Sequence, residues 1–160
     1  MFMAAVYYTK SNKEYIVELC ELTDVDNHYD VVRELVNDMD EEEYKNYMRL
    51  SIEQGRAYKV TSGKLLGFLY VRKEVNRWHG ASIWIDNDMV AATVLLKTVF
   101  DNVEATKIQF RPHKGQLFLK SLATGKSIRL WHFKEHWLTV VVDEAREKFR
   151  KLYTILGIHE

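Results

Sequence analysis

The sequence predicts an α+β fold: one mixed, mainly antiparallel sheet with helices on both faces. Three observations lead there. Hydrophobic periodicity switches between 3.6 and 2 along the chain. Helical segments cluster before residue 56, whereas strands and helices interleave after it. One helical segment, 88–101, joins two β-favouring runs and is long enough for a right-handed crossover between parallel strands. One proline and seven glycines in 160 residues leave no material for a flexible linker. The expectation is a single domain over 1–160, with a core fold in 1–142 and an appended C-terminal helix in 143–160.

The elements follow in order. Residues 4–9 are short and β-favouring. Ser11 and Glu14 have capping-box spacing, which predicts a helix from Asn12 with Ile16, Leu19 and Cys20 on one face. A second helix is expected over 29–38, through Val32, Leu35, Val36 and Met39. Asp40 and Glu43 repeat the capping spacing and open a third helix to about Gln54, with Tyr44, Tyr47, Met48 and Ile52 inward. The acidic run 38–43 then lies at a helix start, where the dipole favours negative charge. Gly55 stands where a left-handed cap is expected.

Residues 57–61 and 65–72 flank Ser62-Gly63-Lys64 and read as a β-hairpin. A polar loop, 73–80, leads to a strand at 81–85. Residues 88–101 return to helical spacing through Val90, Ala91, Val94, Leu95 and Val99. Residues 106–110 alternate as a strand, which Pro112 ends because proline cannot donate to a ladder. A short helix is expected at 116–122, closed near Gly125. Strands at 127–133 and 137–142 follow, joined by 134–136. Asp143 is expected to cap a last helix, 144–156, with Ala145, Phe149, Leu152 and Leu156 inward and Gly157 as its stop. That helix would cover the sheet or meet a second copy of the chain. If strands 81–85 and 106–110 are parallel, a ligand would lie at their C-terminal ends, near 86–89 and 111–113.

Composition narrows the function classes. The chain has 47% hydrophobic and 29% charged residues, ordinary for a soluble globular domain. One cysteine, Cys20, excludes a disulfide framework and a thiolate zinc site, and fits a reducing cytoplasm. No apolar run approaches a membrane span, and the first residues lack the basic flank of a signal peptide. The expected location is therefore cytoplasmic, with no membrane partner. The formal net charge is zero, but it is split. Residues 1–60 carry 7 basic and 13 acidic residues, a net of −6, and the remainder carries +6. Lys107, Arg111, Lys114, Lys120, Lys126, Arg129 and Lys134 face Glu135 alone within 105–137.

The stretch 57–72, AYKVTSGKLLGFLYVR, with its glycine turn and its Leu66-Gly67-Phe68 step, resembles the second and third strands of the GNAT acyltransferases. The strand 81–85, the helix after it, the strand 106–110 and the segment 116–126, QLFLKSLATGK, resemble the elements that follow in that family. The resemblance covers most of 1–142. It implies the GNAT fold, and for an enzyme it implies acetyl-CoA with N-acyl transfer. The family includes small GNAT-like proteins of tailed phages, some of them virion components, so a host-cytoplasm or virion location and a non-catalytic role are also implied.

The chemical signature departs from the family. Its cofactor loop, Gln/Arg-x-x-Gly-x-Gly/Ala, lets backbone N–H groups at a helix start hold a pyrophosphate. Here the stretch 85–91 is IDNDMVA, with no glycine and two carboxylates, Asp86 and Asp88. Like charges about 4 Å apart repel by about 4 kcal/mol at an effective dielectric of 20. The helix after the fifth strand offers Phe118 and Leu119 where many members place a proton-donating tyrosine. If coenzyme A binds, Met89, Val90 and Ala91 would present the N–H groups, with Lys114 and Lys120 adding charge. Glu74, His79 and His113 are the candidate bases.

Other constellations point elsewhere. His132 and His136 are four apart, but their β-favouring flanks do not bring the imidazoles together, so no metal is expected. The cations of 105–137 alternate with Phe110, Phe118, Trp131, Phe133 and Trp137, as a single-stranded nucleic acid surface would need, although strand aromatics ordinarily point to a core. Trp78, exposed, would anchor a protein partner. The leading expectation is a non-catalytic binding or assembly protein without a cofactor. It would use Lys107, Arg111, Lys126, Arg129, Lys134 and Trp78 as its surface, with a protein partner or self-association. A divergent acyl-CoA-dependent N-acyltransferase is the alternative, and a nucleic-acid-binding module the third.

Overall fold

The computed structural model describes residues 4–33, 40–74, 77–110, 131–134 and 137–160. Among the described residues, eight strands form one sheet: β1 (Ala4–Tyr8), β2 (Glu14–Leu19), β3 (Ala57–Thr61), β4 (Leu65–Glu74), β5 (Arg77–Ile85), β6 (Lys107–Phe110), β7 (Trp131–Lys134) and β8 (Trp137–Val141). Their order is β1-β2-β3-β4-β5-β6-β8-β7. Every neighbouring pair is antiparallel except β5 and β6. The helices are α1 (Val25–Val32), α2 (Glu41–Glu53), α3 (Met89–Asn102) and α4 (Val142–Ile155).

The central strand β4 sorts the core into two faces. Leu69 and Val71 join Val60, Ile83, Val94, Leu95, Val99 and Phe149 under α3 and α4. Phe68 and Tyr70 join Cys20, Val25, Tyr44 and Met48 under α1 and α2. A strand covered on both faces reads as a continuous apolar run, as Leu65–Val71 does. Helix α3 is buried from Ala91 to Phe100 except at Lys97, because it lies between the sheet and α4, where Phe100 stacks on Phe149 at 5.8 Å. The crossover is confirmed: β5 runs parallel to β6, with α3 between them.

Both glycine stops hold. Gly55 and Gly157 have φ of 68° and 66°. At each, two N–H bonds close the helix: Gly55 to Ile52 and Arg56 to Ser51, then Gly157 to Thr154 and Ile158 to Tyr153. The Asp40 carboxylate caps α2 by accepting from the Glu43 N–H at 2.9 Å. Ala145 and Phe149 are buried and Leu152 and Leu156 half-buried, so the expected inward face of the last helix is present. It packs mainly on α3, and the tail beyond it pairs His159 with Tyr8 at the β1 edge.

Four expectations need correction. Residues 12–20 are not a helix. Asn12, at φ 62°, turns the chain, the Lys13 N–H donates to Thr9 Oγ1, and the buried residues of β2 alternate, Tyr15 and Val17. Ser11 Oγ pairs with Thr9 Oγ1. The second helix begins at Val25 and has His28 inside, because Glu21 and Asp24 supply the start in the preceding 3-10 turn. Residues 34–39, including Leu35, Val36 and Met39, lie outside the described residues. The expected loop at 73–80 is instead a hairpin, with Glu74 opposite Arg77. Helix α4 starts one turn position early, with Val141 as N-cap, and the Asp143 carboxylate accepts from Arg146 at 3.2 Å. The expected helix at 116–122 lies outside the described residues.

Gly67 illustrates how closely the strands approach. A Cβ built there would meet the Trp84 carbonyl oxygen at 2.9 Å and Val60 Cγ1 at 3.3 Å. Gly67→Ala is therefore expected to destabilise the fold by about 1–3 kcal/mol, read as a lower urea midpoint at unchanged slope. Phe149→Ala, which removes the stack on Phe100, should cost about 3–5 kcal/mol in the same measurement.

Candidate functional site

The site is built where β5 hands the chain to α3. β5 carries one residue more than its partner, because Tyr70 pairs with Ser82 and Val71 with Gly80, leaving Ala81 as a bulge. Trp78, His79 and Gly80 pair with Ile108, Gln109 and Phe110 of β6. The residues of β5 after the bulge run beyond Phe110 towards the start of α3. The N-terminus of α3 thus lies at the C-terminal end of a parallel strand, the end where open α/β sheets bind ligands.

At that end Asp86, Asn87 and Asp88 make the turn. Asn87 adopts φ 44°, a left-handed conformation that asparagine tolerates better than most side chains. Asp88 is the N-cap, with Oδ1 accepting from the Ala91 N–H at 3.0 Å. Its Oδ2 accepts from the Tyr15 hydroxyl, also at 3.0 Å, and lies 4.0 Å from Lys13 Nζ. Burial, and the carboxylate it bonds, push the Tyr15 phenol up, so it stays a donor. Tyr15, over whose ring Lys13 Nζ lies 5.1 Å from the centroid, pushes the Lys13 ammonium up as well. Asp86 faces Lys64, at 3.6 Å.

These partners revise the electrostatics expected of the acidic turn. Asp86 and Asp88 carry two negative charges, and Lys64 and Lys13 bring two positive ones. The local sum is close to neutral, so the carboxylates repel an anion less than their sequence suggests. Sequence reasoning missed Lys13, Tyr15 and Lys64. A helix at 12–20 places Lys13 and Tyr15 elsewhere, and the alternation of Tyr15 and Val17 was the signal that would have found them.

The candidate donors are partly committed. Ala91 N–H is taken by Asp88, and Ala92 N–H by the Asp88 carbonyl. Met89 and Val90, the first two helical positions, have no intrahelical acceptor by the geometry of any helix. Met89 is also exposed. Of the three expected donors, Met89 and Val90 therefore lack an intrahelical acceptor, and Ala91 does not.

The other sequence candidates do not all converge here. His79 pairs with Arg72 and Gln109, and Glu74 closes the β4–β5 hairpin. His79 is seven positions before Asp86, roughly 20 Å along the strand. Trp78 is the second residue of β5, opposite Lys73 and Ile108 and one pair from the end of the β4–β5 hairpin. Lys107 is exposed at the start of β6, and Lys134 ends β7 opposite Trp137. His132 pairs with Thr139 on β8. Arg111, His113, Lys114, Phe118, Leu119, Lys120, Lys126, Arg129 and His136 lie outside the described residues. Among the described residues there is no cluster of three or more metal-ligating side chains, and no helix long and apolar enough to cross a membrane.

Asp88→Ala removes both the cap on Ala91 and the acceptor of Tyr15. It is expected to lower stability by about 1 kcal/mol, measured by thermal denaturation, with Asp88→Asn retaining part of the loss.

No protein-family model matches the chain, and no curated protein matches it by sequence. Solved structures do match by fold. An uncharacterized protein from Bacillus halodurans superposes with a TM-score of 0.60 at 7% identity, covering 96% of this chain and 97% of that one. The diaminobutyrate acetyltransferase EctA from Paenibacillus lautus, solved with its substrate and coenzyme A, gives 0.59 at 11%, covering 81% and 95%. Mycobacterium smegmatis RimJ, solved with CoA-disulfide, gives 0.57 at 11%, covering 98% and 95%. With its strand order, its bulged β5 and its crossover helix, the chain adopts a divergent GNAT-like fold.

Proposed function

We infer that the protein is a divergent acyl-CoA-dependent N-acyltransferase. One observation carries this reading: the bulge at Ala81 and the parallel pairing of β5 with β6 direct the start of α3 to the ligand-binding end of the sheet. The similar structures solved with coenzyme A or its disulfide support it. Bound acyl-CoA would supply an activated acyl thioester. Met89 and Val90 N–H would hold its diphosphate, helped by the positive end of the α3 dipole. Asp88, tied by Tyr15 and Lys13, keeps that helix start in place. Lys13 and Lys64 offset the carboxylates beside it.

A second reading is a non-catalytic binding or assembly protein on the same fold, including a virion part. The glycine-free turn and the Asp88 carboxylate on Ala91 favour it. Its partner would be another protein or a second copy.

Calorimetry with acetyl-CoA separates the two. Saturable micromolar binding is expected. Met89→Pro is a specific probe, because proline is tolerated at the first helical position and Asp88 already has the extended backbone that a residue before proline needs. It deletes one donor while leaving the helix. Losing one charge-assisted hydrogen bond, worth about 1.5–3 kcal/mol, should raise Kd about 10- to 100-fold with little change in Tm. Absence of heat and of thermal shift at millimolar acetyl-CoA would leave the second reading.

A further inference from the structure

The face of the sheet opposite α3 holds a buried polar group that the proposed chemistry does not use. His28 of α1 is only 2% exposed. Its ring lies flat on Phe68, with centroids 4.5 Å apart and planes 7° from parallel. Its Nδ1 shares a hydrogen bond of 2.7 Å with the Tyr70 hydroxyl. Tyr70 is fully buried on β4, in the same cluster as the buried thiol of Cys20. α1 has eight residues, too few for a helix to persist alone in water, so its docking decides whether it forms. Val25 and Val32 are its other buried residues.

We propose that His28 is an acid-released latch: its protonation undocks α1 from the sheet and uncovers the Phe68–Tyr70 face while the α3 side stays folded. A protonated imidazole would carry a full charge into an apolar cluster, where a charge unpaired by a full counter-charge is costly. The groups around it do not offer one. Tyr70 and Cys20 are neutral, and burial pushes the Cys20 thiol up to about 12. Tyr44 and Tyr47 of α2 line the same cluster. The nearest carboxylate, Asp24, is already engaged by Lys59 Nζ at 2.9 Å and by the Glu21 N–H at 2.8 Å. Lys59 adds a positive charge on the β3 side. Burial accordingly holds His28 down to about 4, against an ordinary 6.5, with Asp24 opposing weakly and Lys59 reinforcing.

The sign follows from linkage. His28 is neutral when docked and titrates normally when α1 is released, so acid favours release. Docking is at full strength above pH 6.5 and weakens as the pH falls towards the docked value. Between pH 7.5 and pH 5 the released fraction should rise on the order of thirtyfold.

Native-state hydrogen exchange on the full chain tests this. After correction for intrinsic rates, the amides of 25–32 should exchange about thirtyfold faster at pH 5 than at pH 7.5, while those of α3 keep their protection. His28→Phe, which retains an aromatic ring against Phe68 and cannot titrate, should make the α1 profile flat with pH. Should that variant fail to fold, the wild-type imidazole titration read by NMR decides: a value near 4 supports the latch and one at or above 6 overturns it. Loss of protection in α1 and α3 together, or an α1 profile independent of pH, also overturns it.

Discussion

Two parallel strands cannot be joined by a tight turn, and the arrangement of this molecule follows from that constraint. β5 and β6 lie side by side and point the same way, so the chain must travel back the length of the sheet between them. α3 makes that return. It crosses one face and must be buried against it, and α4 covers its other side, which explains why α3 shows so little polar surface. The crossover also fixes where a helix start appears: next to the end of β5, after the bulge. The candidate site is a by-product of topology before it is a matter of particular side chains.

The fold was legible wherever local signals and tertiary context agreed. The hairpin around Gly63, the cap at Asp40 and the glycine stops at 55 and 157 each rest on backbone geometry that a short sequence specifies. The crossover helix was legible from its length and apolar character. The failures were of two kinds. At 12–20, capping-box spacing competed with strand alternation, and sheet pairing on both sides of β2 decided the outcome. At 73–80, polar residues suggested a loop, although a long hairpin arm near a sheet end can carry them. The site was less legible than the fold. Its acidic turn was visible in sequence, but its compensating lysines come from β2's approach and the β3–β4 turn, and only the folded sheet brings them near.

The two faces of the sheet differ in kind. The α3 face is mainly aliphatic, with the Phe100–Phe149 stack and Tyr7, Tyr15 and Tyr58 among its buried residues; its hydroxyls are threonines that bond back to their own helix and a Tyr7–Thr98 pair. The α1/α2 face is aromatic and holds the buried imidazole, the phenol and the thiol. An aliphatic interior excludes charge by default. An aromatic one with hydroxyl and imidazole groups holds polarity only while each group keeps its partner. β4 contributes to both, and Tyr70 sits beside the register shift that makes the β5 bulge. The strand that shapes the candidate site on one side is thus the strand that α1 grips on the other.

The bridge between Tyr8 and His159 has a consequence for how the chain reaches this state. The two residues are about 150 positions apart, and they exchange two backbone hydrogen bonds, 2.7 and 2.9 Å long. Closing so long a loop is entropically modest in itself, since the cost grows only with the logarithm of its length. Its timing is the constraint. During synthesis β1 emerges long before the residues that follow α4, so its bridge to His159 closes only after them. An unpaired edge of small and aromatic residues is a template for wrong pairing. The Tyr8–His159 contact is therefore one that forms only after α4 has emerged.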